Sequence, residues 1–256
     1  MAAQLLINDV LLPDVRLAIF DKDGTIIDVH TYWANMVKFR SRFIAERLGL
    51  ALEIEKGLMD SMGVLVDQMR IKPYGPVGIK KREIVLKAGV TYLVSCGFPD
   101  YTTLFQEAFR EVDQYSLGKF DEIIRPISGV HTLFAGLKAW DCKIALATTD
   151  ISDRAEKAMS HLGILDSVDA IVGADDVEKP KPDPEIVYTI CDRLGLNPRQ
   201  SIMVGDAESD VRSGLNAGCL AAIGVETGLT SRERLLALTP LVISDISKII
   251  VKGDRS

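Results

Sequence analysis

The sequence predicts an α/β protein in which a doubly wound, mostly parallel sheet carries an inserted all-helical domain. Short apolar runs stop abruptly at polar residues, as buried parallel strands do where they leave a sheet. Amphipathic helical patterns lie between these runs, so strand and helix alternate along the chain. Three of these runs are residues 16–20, 142–147 and 201–204. The first is followed by Asp21, the second by Thr148, and the third by Gly205 and Asp206.

Further runs and helical patterns continue this alternation in the second half of the chain. The spacing of apolar residues predicts helices over residues 130–140 and 184–194. Short apolar runs predict additional strands at Ala170–Val172, Ala221–Val225 and residues 241–243. A βαβ series of this kind forms a mostly parallel sheet, and such sheets bind ligands at the carboxyl edge of their strands.

The stretch between the first two strand runs has a different pattern. Residues 28–126 contain no strand-like run but show helical spacing, interrupted at segments that contain Gly or Pro. They predict an inserted domain of about four helices, and residues 1–27 and 127–256 form the core domain around it. Residues 70–82 of the insertion are a basic stretch, which is either a loop that recognises an acidic substrate or, as we prefer, a solvated basic face.

Composition and charge limit the functions that need to be considered. The chain of 256 residues is 47% hydrophobic and 26% charged, which is typical of a globular protein. Its net charge of −6 argues against a surface that binds nucleic-acid phosphates. The first residues do not resemble a signal peptide, no long apolar run suggests a membrane span, and the four cysteines lie far apart. We expect a cytoplasmic monomer or homodimer with no nucleic-acid or membrane partner.

Polar residues of complementary chemistry follow the predicted strands. Asp21, Thr148 and Asp206 each come after a core strand, and Lys181 lies in a Pro-rich loop before a helix. In a doubly wound sheet these positions converge on one crevice. Carboxylates suit Mg²⁺, and hydroxyl and ammonium groups suit phosphoryl oxygens. Asp23, two residues from Asp21, can protonate the leaving oxygen and later deprotonate the attacking water. The set indicates phosphoryl transfer to a carboxylate, although the Asp-x-Asp segment alone could also be a calcium-loop fragment or a solvated turn.

Four segments in a fixed order resemble the motifs of the haloacid-dehalogenase superfamily. They are FDKDGTIID at 20–28, IALATT at 144–149, KPDPEI at 181–186 and VGDAESD at 204–210. The resemblance covers nearly the whole chain, because the helical insertion after the first motif is similar to the superfamily's C1-type cap. Within the superfamily the chain most resembles the phosphoglycolate-phosphatase-like group.

The resemblance implies catalytic roles for the matching residues. Asp21 is the implied nucleophile and Asp23 the implied acid and base. Thr148 and Lys181 are the implied phosphate ligands. The backbone N–H of Thr149 could also bind phosphate, since the turn opens toward a helix N-terminus.

The resemblance also implies a Mg²⁺ cofactor. Asp21 and Asp206 would be metal ligands, together with the backbone carbonyl of Asp23, and Asp210 would bind the metal directly or through water. The implied activity is hydrolysis of a small phosphorylated metabolite, phosphoglycolate-like or a sugar phosphate, through an aspartyl phosphate. The cap would close over the crevice and exclude water.

Two alternative functions remain at this point. β-Phosphoglucomutase-like enzymes usually carry Val or an equivalent at the place of Thr25 and a hinge histidine where this chain has Trp33, so a mutase is the enzyme alternative. A receiver-type signalling module shares an Asp, Thr and Lys set, but it is shorter and lacks a helical insertion after its first strand. Asp23 disfavours carbon–halogen and carbon–phosphorus cleavage, because relatives with those activities lack an aspartate there. His30 is expected to be a partly exposed loop residue without a catalytic role.

Overall fold

The computed structural model of the protein describes residues 3–252, which divide into two compact units. One unit comprises the described residues up to Asp28 and from Pro126 onward, and the other comprises Val29–Arg125. The strands are β1 (Ala3–Ile7), β2 (Val10–Val15), β3 (Leu17–Phe20), β4 (Val64–Leu65), β5 (Arg70–Ile71), β6 (Lys143–Ala147), β7 (Ala170–Val172), β8 (Ser201–Gly205), β9 (Ala221–Val225), β10 (Val242–Ile243) and β11 (Ile250–Lys252). The helices are α1 (Val29–Leu48), α2 (Leu52–Ser61), α3 (Arg82–Ser95), α4 (Thr102–Ser116), α5 (Phe120–Ile123), α6 (Val130–Ala139), α7 (Ser152–His161), α8 (Glu185–Leu194), α9 (Glu208–Ala217) and α10 (Arg232–Leu236).

The first unit, the sheet unit, is built on a six-stranded sheet with the order β10-β9-β8-β3-β6-β7, in which every pairing is parallel. All four residues of β3 are fully buried, as expected for an inner strand that is covered on both faces. The register places Phe20 of β3 beside Leu146 of β6 and Val204 of β8. The residues that follow these three strands therefore leave the sheet at the same edge.

This sheet confirms the predicted doubly wound fold. The strands expected at Ala170–Val172 and Ala221–Val225 have the expected bounds, and the bounds of the other four predicted strands differ by one residue. Helices α6 and α8 also lie where the apolar spacing predicts them. The apolar face of α8, with Ile186 and Ile190, packs in one buried cluster with Ile19 of β3.

A smaller antiparallel sheet with the order β11-β1-β2 belongs to the same unit and was not predicted. Alternate residues of β1 are buried, namely Ala3, Leu5 and Ile7, which is the period of a strand with one face on a core. The turn to β2 places Asn8 and Asp9 at φ values of 45° and 65°, which Asn and Asp tolerate in two-residue hairpins. Because β11 comes from the opposite end of the chain, local patterns could not reveal this pairing.

The second unit, the helical unit, contains α1 to α5. The prediction of about four helices holds for α1 to α4, but it omitted the short α5. The expectation of an all-helical insertion was also incomplete, since β4 and β5 form an antiparallel hairpin in which Val64 pairs with Ile71. Strands of two residues are too short to show an alternating pattern in the sequence. None of the helices within residues 3–252 has the length and apolar character that a membrane span requires.

A buried ion pair joins three helices of the helical unit. Arg40 of α1 is 4% exposed, and its Nη2 donates to Asp113 Oδ1 of α4 at 3.1 Å. The same guanidinium group lies 4.2 Å from the ring centre of Phe109. Arg82 of α3 pairs with the second oxygen of Asp113. One carboxylate and one aromatic ring thus hold α1, α3 and α4 together.

Candidate active site

Charged side chains meet at the carboxyl edge of the parallel sheet. Asp21 follows β3 directly, and Lys181 lies in the loop before α8. Lys181 Nζ is 2.7 Å from Asp21 Oδ1 and 2.7 Å from Asp210 Oδ1, and it also donates to the carbonyl oxygen of Ala147 at 2.8 Å. Asp210 lies in the first turn of α9, where its carboxylate accepts a hydrogen bond from Ala207 N. One buried lysine therefore joins the ends of β3 and β6 to the helix that follows β8.

Asp206 completes a group of three buried carboxylates. It follows β8, and carboxylate oxygens of Asp21, Asp206 and Asp210 lie within 4.8 Å of one another. The loop after β9 closes against it, since Leu229 N is 3.4 Å from Asp206 Oδ2. A Cβ atom at Gly228 would collide with the same carboxylate, so this close approach requires glycine. The loop after β9 thus holds Asp206 in place.

Electrostatics in this group favour a bound cation. Burial raises the pKa of Asp21 to about 6, against the opposing effect of Lys181. Burial, together with Asp21 and Asp210, raises the pKa of Asp206 well above its usual range. Burial by itself lowers the pKa of Lys181, but the carboxylates of Asp21 and Asp210 outweigh burial and raise it. Three carboxylates share one ammonium group, so negative charge is in excess.

The chemistry of these donors fits a magnesium ion. Mg²⁺ prefers oxygen ligands and is usually bound by one or two carboxylates of a protein. Asp21 and Asp206 present such carboxylates at the ends of β3 and β8. A divalent cation would neutralise the excess negative charge and would favour the ionised form of Asp206.

The other predicted site residues lie at the ends of the same strands. Thr148 follows β6 and is 1% exposed, and its Oγ1 accepts a hydrogen bond from Asp150 N at 3.1 Å. The neighbouring Thr149 is exposed. Asp23 is partly buried, and its Oδ2 lies 2.9 Å from the Nζ of Lys22. Burial raises the pKa of Asp23, and Lys22 opposes this rise.

Sequence reasoning missed several residues that shape this site. Lys22 and Asp150 form a buried ion pair beside Asp23, and Thr227 Oγ1 donates to the carbonyl oxygen of Gly24 at 2.5 Å. The sequence did indicate that Lys22 has an ionic partner, because a lysine just after a buried strand must be paired if it is buried. The only signal for the loop after β9 was its place at the carboxyl end of a predicted strand.

The structure also places His30 and the basic stretch 70–82. His30 was expected in a loop but lies in the first turn of α1, because the helix begins at Val29. Within the basic stretch 70–82, Lys72 Nζ pairs with Asp60 Oδ1 at 2.8 Å, whereas Arg70 is exposed. Lys72 is therefore tied to α2, and a role of the basic stretch in substrate recognition stays a prediction.

The fold and site together define a class of protein. A doubly wound sheet, with a helical insertion directly after a core strand that ends in Asp-x-Asp, is the arrangement of haloacid-dehalogenase-type proteins. A family model described as haloacid dehalogenase-like hydrolase matches residues 15–218. The chain belongs to this family, which confirms the resemblance of its four motifs.

Several individual proteins are similar to this chain in sequence or in fold. Pyrophosphatase PpaX of Bacillus velezensis is 36% identical over 122 residues, which cover 48% of this chain and only about half, 56%, of that protein. A Dickeya dadantii protein named "Probable phosphatase IndB" is 28% identical over 237 residues, which cover 92% of this chain and 91% of that protein. The crystal structure of a "predicted phosphoglycolate phosphatase" from Haemophilus somnus has a TM-score of 0.67 at 19% identity, covering 92% of this chain and 96% of that chain. The likeness to that structure concerns the fold.

Proposed function

We propose that the protein is a Mg²⁺-dependent phosphatase that hydrolyses a small phosphorylated metabolite through a phosphoaspartate on Asp21. The observation that carries this proposal is the buried group in which Asp21, Asp206 and Asp210 surround Lys181. A carboxylate can attack an anionic phosphate only where positive charge offsets their repulsion. Lys181 provides one such charge, and Mg²⁺, when bound, supplies the larger part.

In this proposal Asp21 is the nucleophile and Asp23 moves the proton. A carboxylate oxygen of Asp21 attacks phosphorus, the ester P–O bond breaks, and the leaving oxygen takes a proton from Asp23. Water then attacks the phosphorus of the phosphoaspartate and gives a proton to Asp23. The bond between phosphorus and Asp21 breaks, so phosphate leaves and the Asp21 carboxylate is restored. Asp23 thereby returns to its starting form.

Three groups would hold the phosphoryl oxygens. Lys181 offers an ammonium group next to the nucleophile, and Thr148 offers a buried hydroxyl at the end of β6. The backbone N–H of Thr149 is the third donor. The metal would be held by Asp21, Asp206 and the backbone carbonyl of Asp23, with Asp210 binding directly or through water.

The substrate class is inferred from relatives and from the family. One relative is named as a pyrophosphatase, and one protein of similar fold as a "predicted phosphoglycolate phosphatase". We therefore propose a small substrate such as pyrophosphate, a phosphoglycolate-like acid or a sugar phosphate. We propose that the helical unit Val29–Arg125 is the cap and that it selects among these compounds.

A phosphate-release screen tests the proposal. The protein is assayed with pyrophosphate, phosphoglycolate and a set of sugar phosphates, in Mg²⁺ and in EDTA. We expect Mg²⁺-dependent release from at least one compound. Asp21→Asn should abolish this release and leave the melting temperature within about 4 °C of the parent, because an amide replaces a carboxylate of the same size. Release by Asp21→Asn within about tenfold of the parent would overturn Asp21 as nucleophile.

A further inference from the structure

The two aspartates of the Asp-x-Asp segment are held by different lysines. Lys181 Nζ binds Asp21 and Asp210, whereas Lys22 Nζ lies 2.9 Å from Asp23 Oδ2 and 3.0 Å from Asp23 Oδ1. Lys22 is 1% exposed. A buried ammonium group costs several kcal/mol unless it is paired and hydrogen-bonded, so its partners determine whether Lys22 can occupy this position.

The second carboxylate that binds Lys22 is Asp150. Its Oδ2 is 3.2 Å from Lys22 Nζ, and Arg154 Nε is 3.5 Å from the same oxygen. Backbone contacts hold Asp150 rigidly, since its N–H donates to Thr148 Oγ1 at 3.1 Å and its Oδ1 accepts from Ile151 N at 2.9 Å. Lys22 is therefore anchored to the loop that carries Thr148.

We propose that Lys22 is a positioning residue that, anchored on Asp150, holds the Asp23 carboxyl group in one orientation for proton transfer to the leaving oxygen. The inference rests on the proposed function, in which Asp23 exchanges that proton. Proton transfer depends on this kind of fixed geometry, because a displacement of about 1 Å can slow a reaction 10²-fold.

The test compares two leaving groups. Phenyl phosphate releases a phenolate that needs a proton, since the pKa of a phenol is about 10, whereas 2,4-dinitrophenyl phosphate releases a phenolate that leaves without one. The value of kcat/KM with Mg²⁺ reports the steps up to departure of the leaving group. For Lys22→Met we expect kcat/KM to fall about 10²-fold or more on phenyl phosphate and less than about tenfold on 2,4-dinitrophenyl phosphate.

Three further variants complete the experiment. Asp23→Asn should show the same selective loss, because it removes the proton donor itself. Lys138→Met removes a lysine that pairs with Asp169 at 3.0 Å near the amino end of β7, and it should leave both rates near those of the parent. Asp150→Asn retains the pair of Lys22 and Asp23 but weakens its anchor, so it should show a smaller loss with the same selectivity. This last variant decides the question if Lys22→Met does not fold.

Each outcome supports or overturns the role of Lys22. A selective loss on phenyl phosphate supports it. An equal loss on both substrates, or no loss, in the folded Lys22 variant overturns it, while a selective loss in Asp23→Asn leaves the proposed function intact. If Asp23→Asn is not selective either, the role of Asp23 in the proposed function fails, and the inference about Lys22 falls with it.

Discussion

Both units of the protein bury charged side chains, but the balance of charge differs between them. In the sheet unit, the carboxylates of Asp21, Asp206 and Asp210 share the single ammonium group of Lys181. All four side chains are buried, so solvent does little to screen the repulsion among the carboxylates. Burial, and after it the charges of Asp21 and Asp210, raise the pKa of Asp206 well above its usual range.

The charged cluster of the helical unit has the opposite surplus and a different environment. Arg40 and Arg82 share the carboxylate of Asp113, and both guanidinium groups lie near the ring of Phe109. Only Arg40 is fully buried, whereas Arg82 and Asp113 reach solvent, which screens the surplus positive charge. This cluster connects helices and leaves no uncompensated buried charge.

The charged cluster of the helical unit stabilises the fold, whereas the carboxylate cluster of the sheet unit lowers the stability of the folded state. An excess of buried like charge raises the free energy of the folded state, and such sites are common where chemistry requires them. In the helical unit each buried charge has a partner of opposite sign, and removing one partner of a buried ion pair is destabilising. Substitutions in the two clusters should therefore have opposite effects on stability.

The largest expected effect is that of Asp206→Asn in the sheet unit. It should lower Mg²⁺-dependent phosphate release by about 10²-fold or more, because it removes a metal ligand. It should also raise the melting temperature in EDTA by about 2–4 °C, because it replaces a buried carboxyl group whose ionised form is disfavoured by burial and by two neighbouring carboxylates. Phosphate release and melting temperature are measured together, with Asp153→Asn, an exposed carboxylate, as the control. A lower melting temperature with activity retained would assign Asp206 a structural role instead.

A smaller effect of opposite sign is expected for Arg40→Met in the helical unit. Losing this ion pair and the contact with the ring of Phe109 should cost about 2 kcal/mol of unfolding free energy, measured in urea. Arg47→Met is the matched control, since Arg47 also pairs with a carboxylate, that of Glu111, and lies over a ring, that of Phe43, but is exposed. Its cost should stay within about 1 kcal/mol. Equal costs for the two variants would show that burial of Arg40 adds nothing to the pair.

The smallest expected effect is a pH dependence of the metal-free protein. The pKa of Asp21 is raised from 3.8 to about 6, so the folded state binds more protons than the unfolded state. Its contribution to stability is therefore complete below pH 3.8 and is lost as the pH rises through about 6. Unfolding free energies in EDTA should fall by on the order of 1–3 kcal/mol over this range.

The variant Asp21→Asn tests whether Asp21 causes this pH dependence, and Asp176 provides a contrast. The fall should be smaller in Asp21→Asn, and a constant stability between pH 4 and about 6 in the parent would contradict the prediction. Asp176 has the opposite dependence, because the hydroxyl of Ser152 is the main cause that lowers its pKa to about 2. Its contribution is lost only as the pH falls from 3.8 toward about 2, outside the range in which Asp21 titrates.

Local patterns in the sequence determined the main sheet and the elements that carry the candidate site. Buried parallel strands are continuous apolar runs, so β3, β6 and β8 could be located from the sequence. The polar residues directly after them had to lie at one edge, because parallel strands share their direction. The sequence alone therefore places Asp21, Thr148 and Asp206 at that edge.

The tertiary structure decided the contacts between residues that are far apart in the chain. The pairing of β1 with β11 joins opposite ends of the protein, and no local pattern encodes it. The partner of each lysine was equally open in the sequence, yet Lys181 binds the nucleophile cluster, Lys22 binds Asp23 and Asp150, and Lys72 binds Asp60. A side chain pairs with whichever charge the folded backbone brings within about 4 Å, and that distance is set only when the helices, strands and loops of a unit are packed.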